Sequence, residues 1–458
     1  MGRIKGKPTA WVDLGFKEST FNLMKRDSEI KDLTRTDEVE FKKLSRRYFE
    51  NKNVYDNRVL AQRIGVESAT TLPKQELIEK LLDKVWGVQY FSSGYTTLRE
   101  IEIGKMDADT ELTLLEDVKK GDVIIGEECS GVFEARDEGG VLWDIDEHTN
   151  CIVETAYVVR NLVGELALKD GDFIKGRMRY VDSVGYCCVF HIDEIDGVLI
   201  GDNKRPTSIV RHVSPSEPLE IEGNDRIIMG LQLFAPVCYG QFGVVSTNGR
   251  MDFCDQAVKI YKALNKKVLT PYLFVLEEKE YVLNKLEQDL GEEKNVYWSG
   301  MGKKCTDVMH KILQYASAQA RSNGSKHVIV INDLDMLDKE EKNGLLTAFD
   351  VASYAGAYSN GGSVTVIALA GTFSPISAYH SVRNRIDFEL ALKSNLSVSK
   401  NVIDMLSSYS FSDREVTKEE TVALAKLQQL AVTEGGSAVE RRLLGFASAK
   451  EIISQLND

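Results

Sequence analysis

Several apolar runs mark the second half of the chain. In chain order they read RIIMGLQLFAPV, FGVVS, YLFVLEE, HVIVIND and SVTVIALAG. Short runs without polar alternation are typical of parallel strands that are buried on both faces. Amphipathic segments such as CTDVMHKILQYASAQAR separate several of them, as the helices of an α/β domain do. The pattern therefore predicts an α/β domain over residues 225–430 with these runs as strands, and a helical tail over residues 431–458.

A two-residue period replaces this pattern between residues 115 and 200. Segments such as GVFEARDEGGVLWDID, CIVETAYVV and GDFIKGRMRYV alternate apolar and polar positions, with Gly and Asp at the turns. Short strands at this spacing are typical of a small antiparallel barrel. We therefore predict a five-stranded barrel of the OB or cold-shock type over this segment.

The first 90 residues follow a helical period. The apolar positions of EVEFKKLSRRYFE share one helical face, which predicts a helical extension over residues 1–54. Residues 55–90 carry a helix that stops at Gly65 and a second helix that starts near Pro73. The predicted fold class is therefore multidomain, α+β and α/β: a helical N-terminal module, a small barrel and an α/β domain.

Composition and charge narrow the function classes. The chain of 458 residues has a formal net charge of −13, which argues against coating nucleic acid by bulk electrostatics and requires any nucleic-acid site to be local. No apolar run approaches the roughly 20 residues of a membrane span. The count of 7 Cys, without a CxxC pair, predicts reduced thiols and no metal site. The N-terminus lacks the apolar region of a secretory signal, so a cytoplasmic location is expected.

Aromatic and basic side chains lie close together in the predicted barrel strands. Aromatic rings can stack on RNA bases while neighbouring cations contact phosphates, although most aromatic residues of a small barrel belong to its core. The candidate RNA-binding residues are Trp143, Tyr157, Arg160, Arg177, Arg179 and Tyr186.

The turn STNGRMD follows the strand FGVVS and precedes a helical segment, which is where a phosphate loop lies in a nucleotide-binding domain. A working loop supplies a Lys for the phosphates and a hydroxyl for Mg²⁺. Here Gly249 remains, Arg250 stands in the Lys position and Met251 in the hydroxyl position. Asp252 adds a negative charge at the start of the helix, which disfavours phosphate. We interpret the turn as a phosphate loop by descent that no longer carries the residues for binding phosphate and Mg²⁺.

Taken in order, the three modules resemble the bacterial transcription termination factor Rho, a ring-shaped RNA-dependent ATPase. The resemblance runs from about residue 55 to residue 425. The segments that carry it are LAQRIGVESATTLPKQELIEKLL, GVFEARDEGGVLW, LKDGDFIKGRMR, RHVSPSEPLEIE, LFAPVCYGQFGVVS and GGSVTVIALA. It implies a cold-shock-type RNA-binding barrel followed by a RecA-like ATPase domain.

Further site residues follow from the resemblance. It places Glu277 where the family carries the carboxylate that polarises the attacking water, and Asp333 at the Walker B position. Gly249 and Arg250 become the nucleotide-binding residues, with ATP and Mg²⁺ as cofactors only if the altered loop still binds them. Without the resemblance, Glu277 reads equally well as part of a surface Glu pair with Glu278 at the start of a helix. Asp333 reads equally well as an ordinary Asp at the end of a strand.

The sequence also departs from the family pattern. Gly140 and Leu142 stand where the family has its pair of base-stacking aromatic residues, whereas Tyr157 matches an aromatic position. Lys393 and Arg414 lie near the positions of arginines that reach a neighbour's nucleotide, without matching them in register.

Three functions stay open at this point. The first is a Rho-like protein that binds single-stranded RNA and does not hydrolyse ATP efficiently. The second is an ATP-dependent RNA translocase that terminates transcription. The third is a protein-binding scaffold or regulator of Rho. A ring of six copies and contact with RNA polymerase or Rho are the partner predictions, and no contact with a membrane is expected.

Overall fold

The computed structural model describes a defined set of residues. They are residue 49, 53–63, 69–86, 98–99, 127–136, 139–145, 152–181, 186–200, 205–206, 210–290, 293, 295–300, 306–338, 346–374, 376–395 and 400–457. They divide into two compact units, one from residues 1–102 with 145–154 and one from residues 103–144 with 155–458. Most of the predicted extension over residues 1–54 lies outside the described residues.

Two helices account for most of the described residues of the first unit. They are α1 (Val54–Arg63) and α2 (Lys74–Trp86), and a short strand, β1 (Leu98–Arg99), pairs in parallel with Ile152 and Val153. Helix α2 starts directly after a Pro, a residue favoured at helix starts because it has no N–H to leave unpaired. The buried side chains of Leu77, Ile78 and Leu81 lie on one face of α2. These residues form the apolar stripe by which α2 packs on its neighbours.

A smaller sheet follows along the chain. Its elements are β2 (Glu127–Arg136), β3 (Gly139–Ile145), β4 (Ile152–Val159), α3 (Arg160–Glu165), β5 (Phe173–Val181), β6 (Tyr186–Ile195) and β7 (Val198–Leu199). The long strands follow the order β4-β3-β2-β5-β6, and β4 also pairs with β6 in parallel through Tyr157 and Val158. The sheet therefore closes on itself, with α3 between β4 and β5.

The remainder of the second unit contains a larger sheet and the helices that pack on it. In order, its elements are β8 (His212–Val213), α4 (Arg226–Leu233), β9 (Phe242–Thr247), α5 (Phe253–Ala263), β10 (Thr270–Glu278), α6 (Glu280–Leu290), β11 (Val296–Gly300), α7 (Thr306–Asn323), β12 (Lys326–Ile331), α8 (Asp335–Asp338), α9 (Ala348–Tyr354), β13 (Gly356–Tyr358), β14 (Ser363–Gly371), α10 (Ala378–Val382), β15 (Phe388–Asn395), β16 (Lys400–Ile403), β17 (Tyr409–Ser410), α11 (Lys418–Glu434), α12 (Gly436–Leu443) and α13 (Ala449–Asn457).

The larger sheet is parallel at its centre. Its main order is β11-β10-β12-β14-β9-β15-β16, and the pairs from β11 to β15 run in parallel. The runs FGVVS, YLFVLEE, HVIVIND and SVTVIALAG supply the strands β9, β10, β12 and β14. Every residue of β14 is buried, because helices cover both faces of a parallel sheet. The chain therefore contains a mixed α/β domain, as the apolar runs predict.

The run RIIMGLQLFAPV was wrongly predicted as a strand, because it forms helix α4. Asp225 caps this helix by accepting a hydrogen bond from the N–H of Ile227 at 2.9 Å. A Cβ at Gly230 would lie 2.9 Å from the side chain of Leu390, so the missing side chain lets the helix approach the sheet closely. A short apolar run fits a buried helix as well as a strand, and the cap and the close approach decide for the helix.

The C-terminal helices begin before residue 431, where the sequence predicts the start of the helical tail. Helix α11 starts after Thr417, whose hydroxyl accepts from the N–H of Glu420 in a capping box. It continues to Glu434, so the predicted boundary at residue 430 falls inside a helix. The helical segment at the C-terminus therefore starts at Lys418 and includes α11, α12 and α13.

Helix α7 packs against the closed sheet. Lys311 of α7 forms an ion pair of 2.7 Å with Glu134 of β2, and its ammonium lies 4.6 Å from the centre of the Trp143 ring. At the other end of α7, Arg321 donates to the carbonyl of Gly171 at 2.7 Å and forms an ion pair with Asp196. Because α7 is also packed on β12 and β14, it joins the two sheets of the second unit.

Candidate functional site

The order of the parallel strands defines one crevice at the carboxyl edge of the larger sheet. Strands β9 and β14 are neighbours, and the chain leaves them in opposite directions. After β9 it crosses toward β10, and after β14 it crosses toward β15 on the other side of β9. Ligands of open α/β sheets bind outside the carboxyl ends of the strands at such a point. Gly249 follows β9, Asp333 follows β12 and Glu277 lies at the end of β10, so the topology brings these predicted residues to one edge.

The loop after β9 is tied to the neighbouring β15 and β16. The side-chain oxygen of Asn248 accepts from the N–H of Ser394 at 2.8 Å, and the amide of Asn401 donates to the carbonyl of Arg250 at 2.8 Å. The N–H of Gly249 donates to the hydroxyl of Thr247 at 3.1 Å. A Cβ at Gly249 would lie 2.4 Å from the Asn401 side-chain oxygen. The glycine therefore permits packing between protein groups at a position where a phosphate loop would approach its ligand.

A carboxylate of the protein caps the helix that a phosphate would use. Asp252 stands at the N-cap of α5 and accepts a hydrogen bond from the N–H of Asp255 at 2.9 Å. Asp255 places a second carboxylate in the first turn, where it pairs with Lys259 at 2.9 Å. Helix N-termini bind anions through their free N–H groups and positive partial charge, and here Asp252 uses both.

The residues at this loop do not fit a nucleotide with Mg²⁺. Met251 offers a thioether in place of the hydroxyl that ligates the metal, and a thioether is too soft a ligand for Mg²⁺. Asp252 would repel a phosphate at the same helix end. The predicted nucleotide-binding role of Gly249 and Arg250 therefore has no support from the contacts of the loop.

Glu277 has an unusual backbone. Its φ of 49° lies in the left-handed region, which is uncommon for residues other than Gly, Asn and Asp. The register of β10 against β11 shifts between Val275 and Glu278, so Glu277 lies in a bulge. Its N–H donates to the hydroxyl of Ser299 at 3.0 Å. Such a backbone costs about 1–3 kcal/mol and persists only where the surrounding structure holds it.

Asn332 is the second group that holds this bulge. Its side-chain oxygen accepts from the N–H of Leu276 at 2.8 Å, and its amide donates to the Glu278 carboxylate at 3.3 Å. Neither Asn332 nor Ser299 was selected from the sequence. The available signal was a polar residue directly after an apolar run, in HVIVIND and in VYWSG.

Asp333 starts a short turn at the end of β12. Its carboxylate accepts from the N–H of Asp335 at 3.0 Å. The carboxylate of Asp335 in turn accepts from the hydroxyl of Ser377 at 2.7 Å and from the N–H of Ala378 at 2.7 Å. Asp335, which the sequence reading missed, therefore links the loop after β12 to the loop after β14.

A buried carboxylate lies between β9, β15 and α10. Glu389 accepts from the hydroxyls of Ser246 and Tyr379, the latter at 3.1 Å to both oxygens. Burial, followed by the charge of Glu389, raises the pKa of Tyr379 to about 12. Tyr379 therefore stays protonated at neutral pH and acts as a hydrogen-bond donor to the carboxylate.

Two of the three predicted aromatic residues, Trp143 and Tyr157, are largely inaccessible in the smaller sheet. Trp143 is 0% exposed and lies against Lys311 and Tyr315 of α7, with ring centres 6.3 Å apart in the Trp143–Tyr315 pair. Tyr157 is 8% exposed, and its hydroxyl lies against Gly139. Tyr186 begins β6 and pairs with Val181 through the backbone. Base stacking requires an exposed ring face, which neither Trp143 nor Tyr157 offers here.

The predicted cations occupy more open positions. Arg160 is exposed at the start of α3. Arg177 forms ion pairs with Glu128 at 3.1 Å and with Asp193 at 3.3 Å, and Arg179 lies over the Phe190 ring at 5.3 Å. RNA phosphates at Arg177 must therefore compete with two carboxylates of the protein itself.

The two cations near the C-terminal part of the sheet are also paired. Lys393 lies 2.5 Å from Asp404, and Arg414 lies 3.3 Å from Glu420. Within the described residues, no group of three or more His, Cys, Asp or Glu side chains is arranged to hold a metal ion. A search of the same residues for a helix long and apolar enough to cross a membrane finds none.

The fold defines an α/β protein whose parallel sheet has a crevice at its carboxyl edge. No known family model and no curated protein sequence matches the chain. One similar solved structure is that of a unique ATP synthase subunit, NeqB, from Nanoarcheaum equitans. It is 15% identical and covers 57% of this chain and 81% of its own, with a TM-score of 0.38.

A second similar structure is a prototypical ATPase from the type III secretion system of pathogenic bacteria. It is 14% identical and covers 55% of this chain and 88% of its own, with a TM-score of 0.39. TM-scores below 0.5 do not establish a common fold, so neither structure carries an argument about this protein.

Proposed function

We propose that this chain is a non-hydrolysing protein with a RecA-like α/β domain, and that it acts by binding single-stranded RNA through its barrel. The observation that carries the proposal is the Asp252 carboxylate at the N-terminus of α5, where a nucleotide-hydrolysing domain binds phosphate. A divergent relationship to Rho, a ring of six copies, and contact with Rho or RNA polymerase belong to the same proposal.

The pairing of the smaller sheet supports the RNA-binding part. Antiparallel pairing of β2 with β3 and β5, parallel pairing of β4 with β6, and a helix between β4 and β5 fit an OB-type barrel. OB folds bind oligonucleotides on one face and at the loops beside it. Because α7 covers Trp143, the proposal assigns RNA phosphates to the exposed cations, above all Arg160.

We expect ATP turnover at background level, with or without poly-pyrimidine RNA. Met251 cannot supply the metal-ligating hydroxyl, and Asp252 repels the phosphates of ATP. The measurement is phosphate release by the full chain, with Asp333→Ala as the matched control that should give the same rate. RNA-stimulated turnover above about one per minute that disappears in Asp333→Ala contradicts the proposal, although typical enzymes turn over faster still, at about 1–10³ s⁻¹.

We expect the full chain to bind single-stranded RNA weakly and with strong salt dependence. Arg160→Gln should weaken binding and reduce the slope of log K against log[salt] by about 0.7, the value for one phosphate contact on a single strand. The measurement is fluorescence anisotropy with labelled RNA at several salt concentrations. Arg441→Gln, which removes an exposed cation from α12, is the control and should leave the slope unchanged. Absence of binding at low salt, or equal effects of the two variants, contradicts the assignment.

One observation favours the ATP-dependent translocase as a second candidate. Glu277 has a strained backbone, held by Ser299 and Asn332, and strain of this kind clusters at active sites. If this carboxylate still acts on water, Glu277→Gln abolishes the RNA-stimulated phosphate release described above. If hydrolysis is absent in the wild type, the bulge is a structural feature only.

A further inference from the structure

Strand β16 lies at one end of the larger sheet. Within the described residues it pairs only with β15, in an antiparallel ladder. Alternate residues of such a strand direct their backbone N–H and C=O groups toward the partner strand and away from it. The N–H of Asp404 donates to the carbonyl of Ala391 in β15 at 2.8 Å, so Asn401 and Ile403 direct their groups outward. This outward side, termed the β16 edge, is where a sheet can add a further strand.

Two side chains take the place of a strand at the β16 edge. Arg226 of α4 donates to the carbonyl of Asn401, and Glu440 of α12 accepts from the N–H of Ile403 at 2.6 Å. The guanidinium and the carboxylate lie 3.9 Å apart. Asn401 and Ile403 are 5% and 2% exposed, so the edge is closed to other strands in this state.

The helices α11, α12 and α13 cover this edge. They span residues 418–457, and α11 packs on both α12 and α13. The contacts of this cover with the rest of the second unit include those of α12 with β16 and those of α12 and α13 with α4. At Gly436, the first residue of α12, a Cβ would lie 3.1 Å from the carbonyl oxygen of Ile403. Because no strand of the sheet belongs to the cover, its displacement leaves the pairing of the sheet intact.

The cover is loosely packed against the strand. A cavity of about 630 Å³ lies between them, with Val402 and Ile403 on the strand side and Ala431, Gly435 and Ser437 on the helix side. Atoms beside a cavity lose the dispersion contacts that close packing supplies. Segments with few apolar contacts open locally at a lower free energy than the core of a domain. The cover is therefore easier to displace than the strands of the sheet.

The two backbone groups that the side chains occupy are complementary to each other. If the β16 strands of two copies run antiparallel about a two-fold axis at Val402, Asn401 of each copy faces Ile403 of the other. The carbonyl of Asn401 then accepts from the N–H of Ile403 of the second copy. Such a pair replaces Arg226 and Glu440 at both groups, and the two-fold axis repeats it.

We propose that α11, α12 and α13 cover a strand-addition edge, and that a second copy of this chain pairs with it through β16 when the cover moves away. This dimer has a two-fold axis and therefore differs from the proposed ring of six copies, whose contacts run head to tail. Its formation requires neither nucleotide nor RNA.

Cross-linking of a Val402→Cys variant of the full chain tests this pairing. In the two-fold pair the Cα atoms of the two copies of residue 402 lie about 4.5 Å apart, within the range of a disulfide. Arg226→Met with Glu440→Met removes the donor and the acceptor at the edge. We expect this double change to speed the formation of the disulfide dimer about tenfold or more, since hydrogen bonds to charged groups hold the cover. The measurement is the appearance of the dimer on non-reducing gels, with oxidised glutathione as the oxidant.

Three controls belong to this experiment. The chain without Val402→Cys gives the background from its native cysteines. Lys266→Met with Glu293→Met, added to Val402→Cys, removes an ion pair elsewhere in the second unit and should leave the rate unchanged. Val422→Cys in place of Val402→Cys puts the thiol at an exposed position of α11. Its cross-linking should not become faster when the cover is released.

An unchanged rate of dimer formation in the double variant overturns the proposal. Equal acceleration with the thiol at position 422 overturns it as well, because it indicates random collision of partly unfolded chains. If circular dichroism shows the double variant to be unfolded, Glu440→Met alone takes its place, and the same two outcomes decide. The reaction contains neither nucleotide nor RNA, so a negative result leaves the proposed function untouched.

Discussion

Trp143→Ala should lower the free energy of unfolding of the second unit by about 3–5 kcal/mol, the usual cost of removing a buried Trp side chain. The ring is fully buried, with Tyr315 and the ammonium of Lys311 against it. Its removal leaves a cavity between β3 and α7 and deprives Lys311, which is itself buried, of its ring contact. The measurement is urea denaturation of the full chain, followed by circular dichroism.

Two further variants separate packing from RNA binding. Trp143→Phe keeps most of the apolar volume and should cost clearly less than Trp143→Ala. A double-mutant cycle of Trp143→Ala with Tyr315→Ala should give a coupling of about 0.5–1.5 kcal/mol for the ring pair. If Trp143→Ala leaves stability unchanged but weakens RNA binding, Trp143 stacks on a base and its burial against α7 is not the relevant state.

Gly240→Ala should destabilise the larger sheet by about 3–5 kcal/mol, from backbone strain together with overpacking. Gly240 has a φ of 90°, and a Cβ there would lie 2.4 Å from the backbone nitrogen of Ala357 in β13. Its N–H donates to the hydroxyl of Thr365 at 2.9 Å, which fixes the turn that leads into β9. The obstructing atom belongs to a paired strand and cannot move aside.

Gly361→Ala is the matched control for this prediction. Gly361 has nearly the same φ, 87°, but an added Cβ there meets nothing within 4 Å. Its replacement should therefore cost only the backbone term, about 1–2 kcal/mol. Urea denaturation of both variants isolates the contribution of the close approach. Equal losses for the two variants would show that the contact with Ala357 has no energetic effect.

The parallel strands were predictable because their signal is local. A strand buried on both faces needs an uninterrupted apolar run, and HVIVIND and SVTVIALAG carry that run within a few residues. RIIMGLQLFAPV carries the same signal and still forms a helix, because the cap at Asp225 and the fit of Gly230 against Leu390 decide between the two forms. A local sequence pattern cannot reveal a contact between Gly230 and Leu390, which are 160 positions apart.

At the candidate site, too, some features follow from the sequence and others only from the tertiary structure. The sequence alone determined that Met251 stands where a phosphate loop carries a hydroxyl, and that Glu277 and Asp333 lie at the ends of apolar runs, since these are properties of single positions. Only the tertiary structure decided that Asn401 and Ser394 hold the loop at Gly249, that Ser299 and Asn332 hold the bulge at Glu277, and that α7 covers Trp143. The physical reason is distance along the chain: hydrogen bonds and ring contacts between remote segments depend on how the strands are ordered, and no local pattern of residues encodes that order.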